Sequence, residues 1–123
     1  MDDTTHVRWL AEPEEKDYPA AESYLSLMYD GKKTAELVGK LKRAGVTRFK
    51  AKDIFRASEL SLLGVSNSHV EKDRKKIKEG TPLSPLLLVR DDRRGRVVIA
   101  DGYHRLCAVY TFNEDEWIPC KIV

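Results

Sequence analysis

The residues best suited to chemistry are Asp101-Gly102-Tyr103-His104-Arg105, which directly follow the apolar run Val97-Val98-Ile99-Ala100. That run is short and rich in β-branched side chains, as a buried strand is. Leu106, Val109 and Tyr110 take up helical spacing immediately afterwards. Asp101-Gly102 is the break between them, so the unit reads as strand, glycine turn, helix. The first amides of a helix have no partner within it and carry the positive end of its dipole, which favours an anion there. Glycine lets that anion approach the backbone, and an imidazole and a guanidinium add donors. Phosphate is the guest this combination suits, with Gly102, Tyr103, His104 and Arg105 as its candidate ligands.

Each of these side chains also has a plainer role. Arg105 is suited to bidentate phosphate contact, or to pairing with the acidic loop Asn113–Glu116. His104 can donate to a phosphate or exchange a proton near neutral pH; otherwise it caps its own helix or packs on Tyr110. Asp101 is a candidate acid/base group and a candidate ligand for a nucleotide-bound magnesium ion. It is also a preferred N-cap type, and capping or turn formation is the role its position favours.

Several of these features resemble a known family. Asp-Gly-x-His-Arg at the head of a helix resembles the Gly-x-(His/Arg)-Arg box shared by ParB partition proteins and sulfiredoxin. The run Pro82–Asp91 resembles the strand before that box, and Ile118–Val123 the closing strand of the same fold. Asp53-Ile54 within Phe49–Ser58, and the helix ahead of Gly80, match the opening strand and helix more loosely. The resemblance covers residues 49–123; residues 1–48 match neither founding family.

The resemblance implies a ParB/sulfiredoxin-like fold and a nucleotide ligand, ATP/ADP or CTP, bringing Mg2+ with it. It also implies phosphate contacts from the helix before Gly80. There Lys72 and Lys76 are the candidates, although lysines stand where sulfiredoxin-like proteins use small hydroxyl residues. Tyr103 occupies the place of sulfiredoxin's catalytic cysteine. Reduction of a sulfinic acid needs a thiolate, which a phenol does not replace, so that activity is not expected. The longer arginine-rich continuation and the DNA-binding parts of ParB proteins are not found in this chain. Related free-standing members include amino-acid kinases. A phosphotransferase would need a carboxylate base, for which Asp53 and Glu59 are available.

The positioning elements follow from pattern. Pro82 and Pro85 precede a continuous apolar strand, Leu86–Val89, buried on both faces. Asp91–Arg96 is a charged turn with Gly95, and Trp117–Val123 is the last strand, with Pro119 suggesting an edge or a strand start. A helix over Val70–Glu79 follows Ser66-Asn67-Ser68, with Ser68 and Glu71 fitting a capping box and Gly80 closing it. Its Val70 and Ile77 form one apolar stripe, and His69, Lys72 and Lys76 share another face. Val46–Ile54 reads as a strand and its exit, and Ala57–Leu63 as a helical or 3₁₀ segment ended by Gly64.

Ahead of these, Trp9 is a candidate anchor in an extended acidic lead-in. A first helix starts at Pro19 with Tyr24, Leu25 and Met28 inward, and ends at Asp30-Gly31. A second, Lys33–Ala44, turns Leu37, Val38 and Leu41 inward and stops at Gly45 in the left-handed cap position. The pair is expected to cover the core. The fold expected is therefore α+β, a single domain with a small mixed β-sheet flanked by helices and an N-terminal helical extension.

The chain has 123 residues, enough for one core, with 41% hydrophobic and 34% charged side chains, a soluble globular composition. No apolar run approaches membrane-spanning length and Met1-Asp2-Asp3 is unlike a secretory signal, so the expectation is a cytoplasmic protein with no membrane partner. Cys107 and Cys120 sit among apolar neighbours and read as reduced core residues. The net charge of +2 is uneven: residues 1–30 carry −6, residues 31–78 carry +9 and residues 79–123 carry −1. The basic stretch 31–78 suits a polyanion, or solvated helix faces. The functional expectation is a nucleotide- or phosphate-binding module acting as a small phosphotransferase, NTP hydrolase or nucleotide-gated regulator. The alternative is a DNA-associated partition or plasmid-maintenance accessory. A third reading has the domain binding another protein through Trp9 and the acidic lead-in.

Overall fold

A computed structural model describes residues 6–64 and 67–123. Met1-Asp2-Asp3 and Ser66, used in the sequence reading, lie outside the described residues. The elements run α1 (Asp17–Leu25), α2 (Gly31–Arg43), β1 (Thr47–Lys50), α3 (Ala51–Ser58), α4 (Ser68–Glu79), β2 (Leu86–Asp91), β3 (Arg96–Asp101), α5 (Tyr103–Phe112) and β4 (Trp117–Ile122). The fold is α+β, with a mixed four-stranded sheet in the order β1-β4-β2-β3. β4 pairs antiparallel with β1 and parallel with β2, and β2 pairs antiparallel with β3.

β2 is buried along Leu86–Val89, and the two-residue period of a strand divides those side chains between two cores. Leu86 and Leu88 pack with Ile54, Val70, Leu106 and Ile118 beneath α3, α4 and α5. Leu87 and Val89 pack with Leu25, Leu37, Leu41 and Val98 beneath α1 and α2. The N-terminal helices therefore cover one sheet face, as expected. Trp9 anchors the lead-in through a parallel bridge to Leu83, and it packs on the first core.

Several local expectations are corrected. α1 begins at Asp17, two residues before Pro19, and buries Tyr18, Ala21 and Leu25, while Tyr24 and Met28 stay exposed. Asp30 starts α2 and does not merely end α1: its carboxylate accepts from the Lys33 amide at 2.8 Å. Gly45 is not left-handed, and α2 exits through extended Ala44. Its terminus is instead met by the buried Lys121, whose ammonium donates to the Lys42 carbonyl at 3.1 Å and lies 3.3 Å from Glu12. A cation at a helix C-terminus satisfies the carbonyl and opposes the dipole.

The strand at β1 is shorter than expected, because Ala51–Ile54 opens α3. Ala57–Leu63 is not one helical segment: α3 stops at Ser58, Glu59 turns left-handed at φ 59°, and Leu60–Gly64 is irregular. Asn67, not Ser68, caps α4, accepting from the His69 and Val70 amides at 3.0 and 3.2 Å. Gly80 ends α4 left-handed at φ 74°, as expected. Pro119 lies within an inner strand, opposite Arg48. Pairing with β2 starts one residue later, so its missing amide costs that ladder nothing. Among the described residues no helix is long and apolar enough to cross a membrane.

Leu87 is fully buried at the centre of the second core. Leu87→Ala should lower unfolding free energy by about 2–5 kcal/mol through lost transfer and a residual cavity. Urea denaturation would show it as a lower midpoint with an unchanged slope.

Candidate functional site

α4 and α5 lie side by side with their N-termini at the same end. His69 and His104, in the two first turns, stack with ring centroids 4.9 Å apart, while Phe112 at the far end of α5 shares a cleft with Arg74, Ile77 and Lys78. At the shared N-terminal end is a cavity of about 220 Å³ lined by His69, Lys72, Asp73 and Lys76 of α4, Asp101 of β3, and Gly102–Arg105. Six of the lining residues were phosphate-site candidates from sequence, on two segments about thirty residues apart. The structure brings all six together.

The turn that starts α5 depends on Gly102. Its φ of +111° lies where side chains are strained, and a Cβ there would stand 2.7 Å from Leu86 Cγ and 2.9 Å from an Arg105 guanidinium nitrogen. Gly102 is also the N-cap, and among the described residues no side chain caps the amides that follow. The capping role expected of Asp101 is therefore overturned. Asp101 is the last residue of β3, and its carboxylate accepts from Arg105 at 3.0 Å, four residues along the chain. The alternative pairing of Arg105 with the Asn113–Glu116 loop gives way to this contact. Arg105 also reaches the Pro85 carbonyl at 3.5 Å, and its Nε–H is buried with no partner. A buried unpaired donor is unfavourable and calls for an acceptor.

His104 neither caps α5 nor packs on Tyr110, which stacks on Phe55 instead. It lies between the rings of His69 and Tyr103. The Tyr103 hydroxyl donates to the Ser61 carbonyl, tying the irregular 60–64 segment to the mouth of the site. Burial raises the Tyr103 phenol above its usual range. The thiols behave as core groups: burial pushes Cys107 up, and Cys120 up to about 12. Neither is poised as a thiolate.

Asp73 is the lining residue that sequence reasoning missed. It stands four residues after His69, on the face already marked by Lys72 and Lys76, so the helical period does contain the signal. Burial raises its carboxyl above the usual range, against the pull of Lys76, Arg105, His104 and Lys72. A carboxyl held up in a basic cleft is a candidate acid/base group. Asp101 is raised too, by burial first and by neighbouring Asp17, with Arg105 pulling the other way. Asp17 is itself buried, accepting from Ser84 and, at 3.0 Å, from the Glu14 amide.

Asp53 and Glu59, the base candidates, do not reach this cavity. Asp53 edges a separate apolar cleft of about 240 Å³ beside Phe49 and Ile54, and Glu59 is exposed after α3. One Asp101 carboxylate oxygen is taken up by Arg105. No group of three metal-binding side chains occurs among the described residues. Comparison of the chain with protein-family models, curated proteins and solved structures gave no match.

Two outcomes follow from this geometry. Gly102→Ala should destabilise the fold by about 1–3 kcal/mol from backbone strain alone, read by chemical denaturation. For Asp73 the folded-state pKa is raised, so its carboxyl favours folding below the unfolded pKa and that contribution is lost as pH rises through the folded value. Asp73→Asn, which never ionises, should therefore gain stability relative to the parent over the pH window that opens at the ordinary carboxylate pKa of about 4. A constant difference across that window in paired urea titrations would contradict the assignment.

Proposed function

We propose that the protein is a phosphate-binding module whose ligand is a nucleotide, ATP/ADP or CTP, seated by its phosphates between α4 and α5. The observation that carries this reading is the convergence of His69, Lys72, Lys76, His104 and Arg105 on one cavity at an uncapped helix N-terminus. Parallel neighbouring helices also direct the positive ends of two dipoles towards the same place. The buried, unpaired Nε–H of Arg105 adds a donor in need of an acceptor. The resemblance of Gly102–Arg105 to the ParB/sulfiredoxin box points the same way.

Size narrows the ligand. Pockets that enclose drug-sized molecules run from roughly 300 to 1,000 Å³, and this one is about 220 Å³. It suits phosphate groups, with the nucleoside lying over the mouth, near Tyr103 and the 60–64 segment. Magnesium arrives as the nucleotide's own counter-ion. If the module is catalytic, Asp73 is the acid/base candidate, since it is the cavity carboxyl without a guanidinium bonded to it. The DNA reading has less support: the basic residues of the 31–78 stretch are spread over α2 on one sheet face, α3 and α4 on the other, and the edge strand β1.

Calorimetric titration with ATP, ADP and CTP, each with magnesium, tests the proposal. Saturable binding of one nucleotide is expected, weakened by about tenfold or more for each charge-assisted contact removed in Lys72→Met, Lys76→Met and Arg105→Ala. Asp73→Asn should tighten binding, because it removes a negative charge facing the phosphates. Folded protein that binds none of the three nucleotides would refute the reading.

A further inference from the structure

At the opposite end of β3 is a second cavity, larger than the first at about 350 Å³ and lined by Met28, Tyr29, Asp91, Arg93, Arg94 and Arg96. It forms where the β2–β3 turn meets the α1–α2 connection, on the sheet face away from α4 and α5. The turn is rigid: the Arg94 and Gly95 amides both donate to the Asp91 carbonyl, at 3.2 and 2.9 Å, and Gly95 is left-handed at φ 64°. This sets Arg93 and Arg94 side by side on an exposed tip. Arg96 reaches inward from the start of β3, with Nε 3.5 Å from an Asp91 carboxylate oxygen but buried and without a hydrogen bond.

Three arginines and one carboxylate thus line the cavity, an excess of two positive charges. Its remaining wall is apolar and aromatic, from a half-buried Tyr29 ring and a Met28 side chain 39% exposed. Asp92, the other acid of the turn, is exposed and does not line the cavity. Planar guanidiniums match the oxygens of a phosphoryl group bidentately, and a dianion neutralises the excess. The Tyr29 ring and the Met28 side chain offer a surface to the body of an ester.

We propose that this cavity is a second anion site, for a phosphate monoester with an aromatic or apolar body, independent of the α4–α5 cavity. The six-residue β3 separates the two sites by about 17 Å at the rise of a strand.

The probes are phenyl phosphate and inorganic phosphate, titrated into the full chain while the arginine Nε–Hε and Tyr29 ring signals are followed by NMR. Phenyl phosphate should shift the Arg93, Arg94, Arg96 and Tyr29 signals saturably, and bind more tightly than inorganic phosphate. Arg93→Ala/Arg94→Ala, confined to the exposed turn, should weaken it by about tenfold or more. Lys72→Met/Lys76→Met should leave these shifts unchanged, so failure of the nucleotide reading and failure of this one are separable. Three results would each overturn the proposal: no movement of the four residues, equal movement with sodium chloride at matched ionic strength, or unaltered binding in the arginine variant. Equal affinity for the two phosphates would remove the aromatic or apolar body from the ligand and so also overturn it as stated.

Discussion

The structure depends on one strand that has no solvent face. Leu86, Leu87, Leu88 and Val89 are all buried, and alternation sends them in opposite directions, so both sides of β2 must be covered. A 45–50-residue extension that supplied only one layer elsewhere would leave Leu87 and Val89 in water. Burying apolar surface contributes roughly 25 cal/mol per Å², so an uncovered second face would forfeit a large share of a margin that is only about 5–15 kcal/mol for a domain. α1 and α2 belong to the same cooperative unit as the sheet for this reason. Lys121 marks the junction: the alternation that buries Cys120 and Ile122 on one side turns its stem towards Tyr18 and the end of α2 on the other.

The same strand positions the chemistry. β2 begins its apolar run beside the end of β3, where Ala100 has no opposite number between the Leu87–Asp101 and Leu88–Ile99 pairs. Such irregularities re-aim the residues that follow. Here they deliver Asp101 and Gly102 to the start of α5, with Leu86 packed under the glycine. The Asp101–Arg105 contact is best read as orientation. A part-buried ion pair loses hydration that the attraction only partly returns, and burial, with Asp17 nearby, holds the Asp101 carboxyl above its usual range against the pull of Arg105. The pair holds one end of the Arg105 guanidinium in place, while its buried Nε–H has no hydrogen-bond partner among the described residues.

How much of this the sequence discloses depends on the range of the deciding interaction. Strand β2, the charged turn, α5 and the cap at Gly80 are written in local pattern, and all were read correctly. Gly102–Arg105, Lys72 and Lys76 come from helical and turn spacing too, and the fold gathers them around one cavity. What failed was decided by partners distant in sequence. Gly45 is not needed as a left-handed cap because Lys121, far along the chain, meets the Lys42 carbonyl. Tyr24 and Met28 looked inward on propensity, but the register of α1 on the sheet selects Tyr18, Ala21 and Leu25. Asp101 looked like a cap because caps are local; its choice of Arg105 follows from the glycine's geometry. Pro119 suggested an edge, which is correct only for the stretch of β4 that precedes its pairing with β2. Asp73 was legible and was passed over, since a single acid among lysines reads as a solvated counter-charge.

The inner position of β4 has a kinetic consequence. β4 is synthesised after the other three strands, yet it lies between β1 and β2, so β1 has no neighbour to pair with until Trp117–Ile122 arrive. Contacts that join such distant segments close slowly, because loop entropy is lost before pairing compensates it. In the interval the nascent chain presents β1 as a bare ribbon open to a second molecule. Arg48 and Lys50, held over the Trp117 ring in the finished fold at 4.6 and 5.4 Å, are the charges that would discourage such a meeting. The cations that decorate the finished edge would thus act earlier, as gatekeepers of an unfinished sheet.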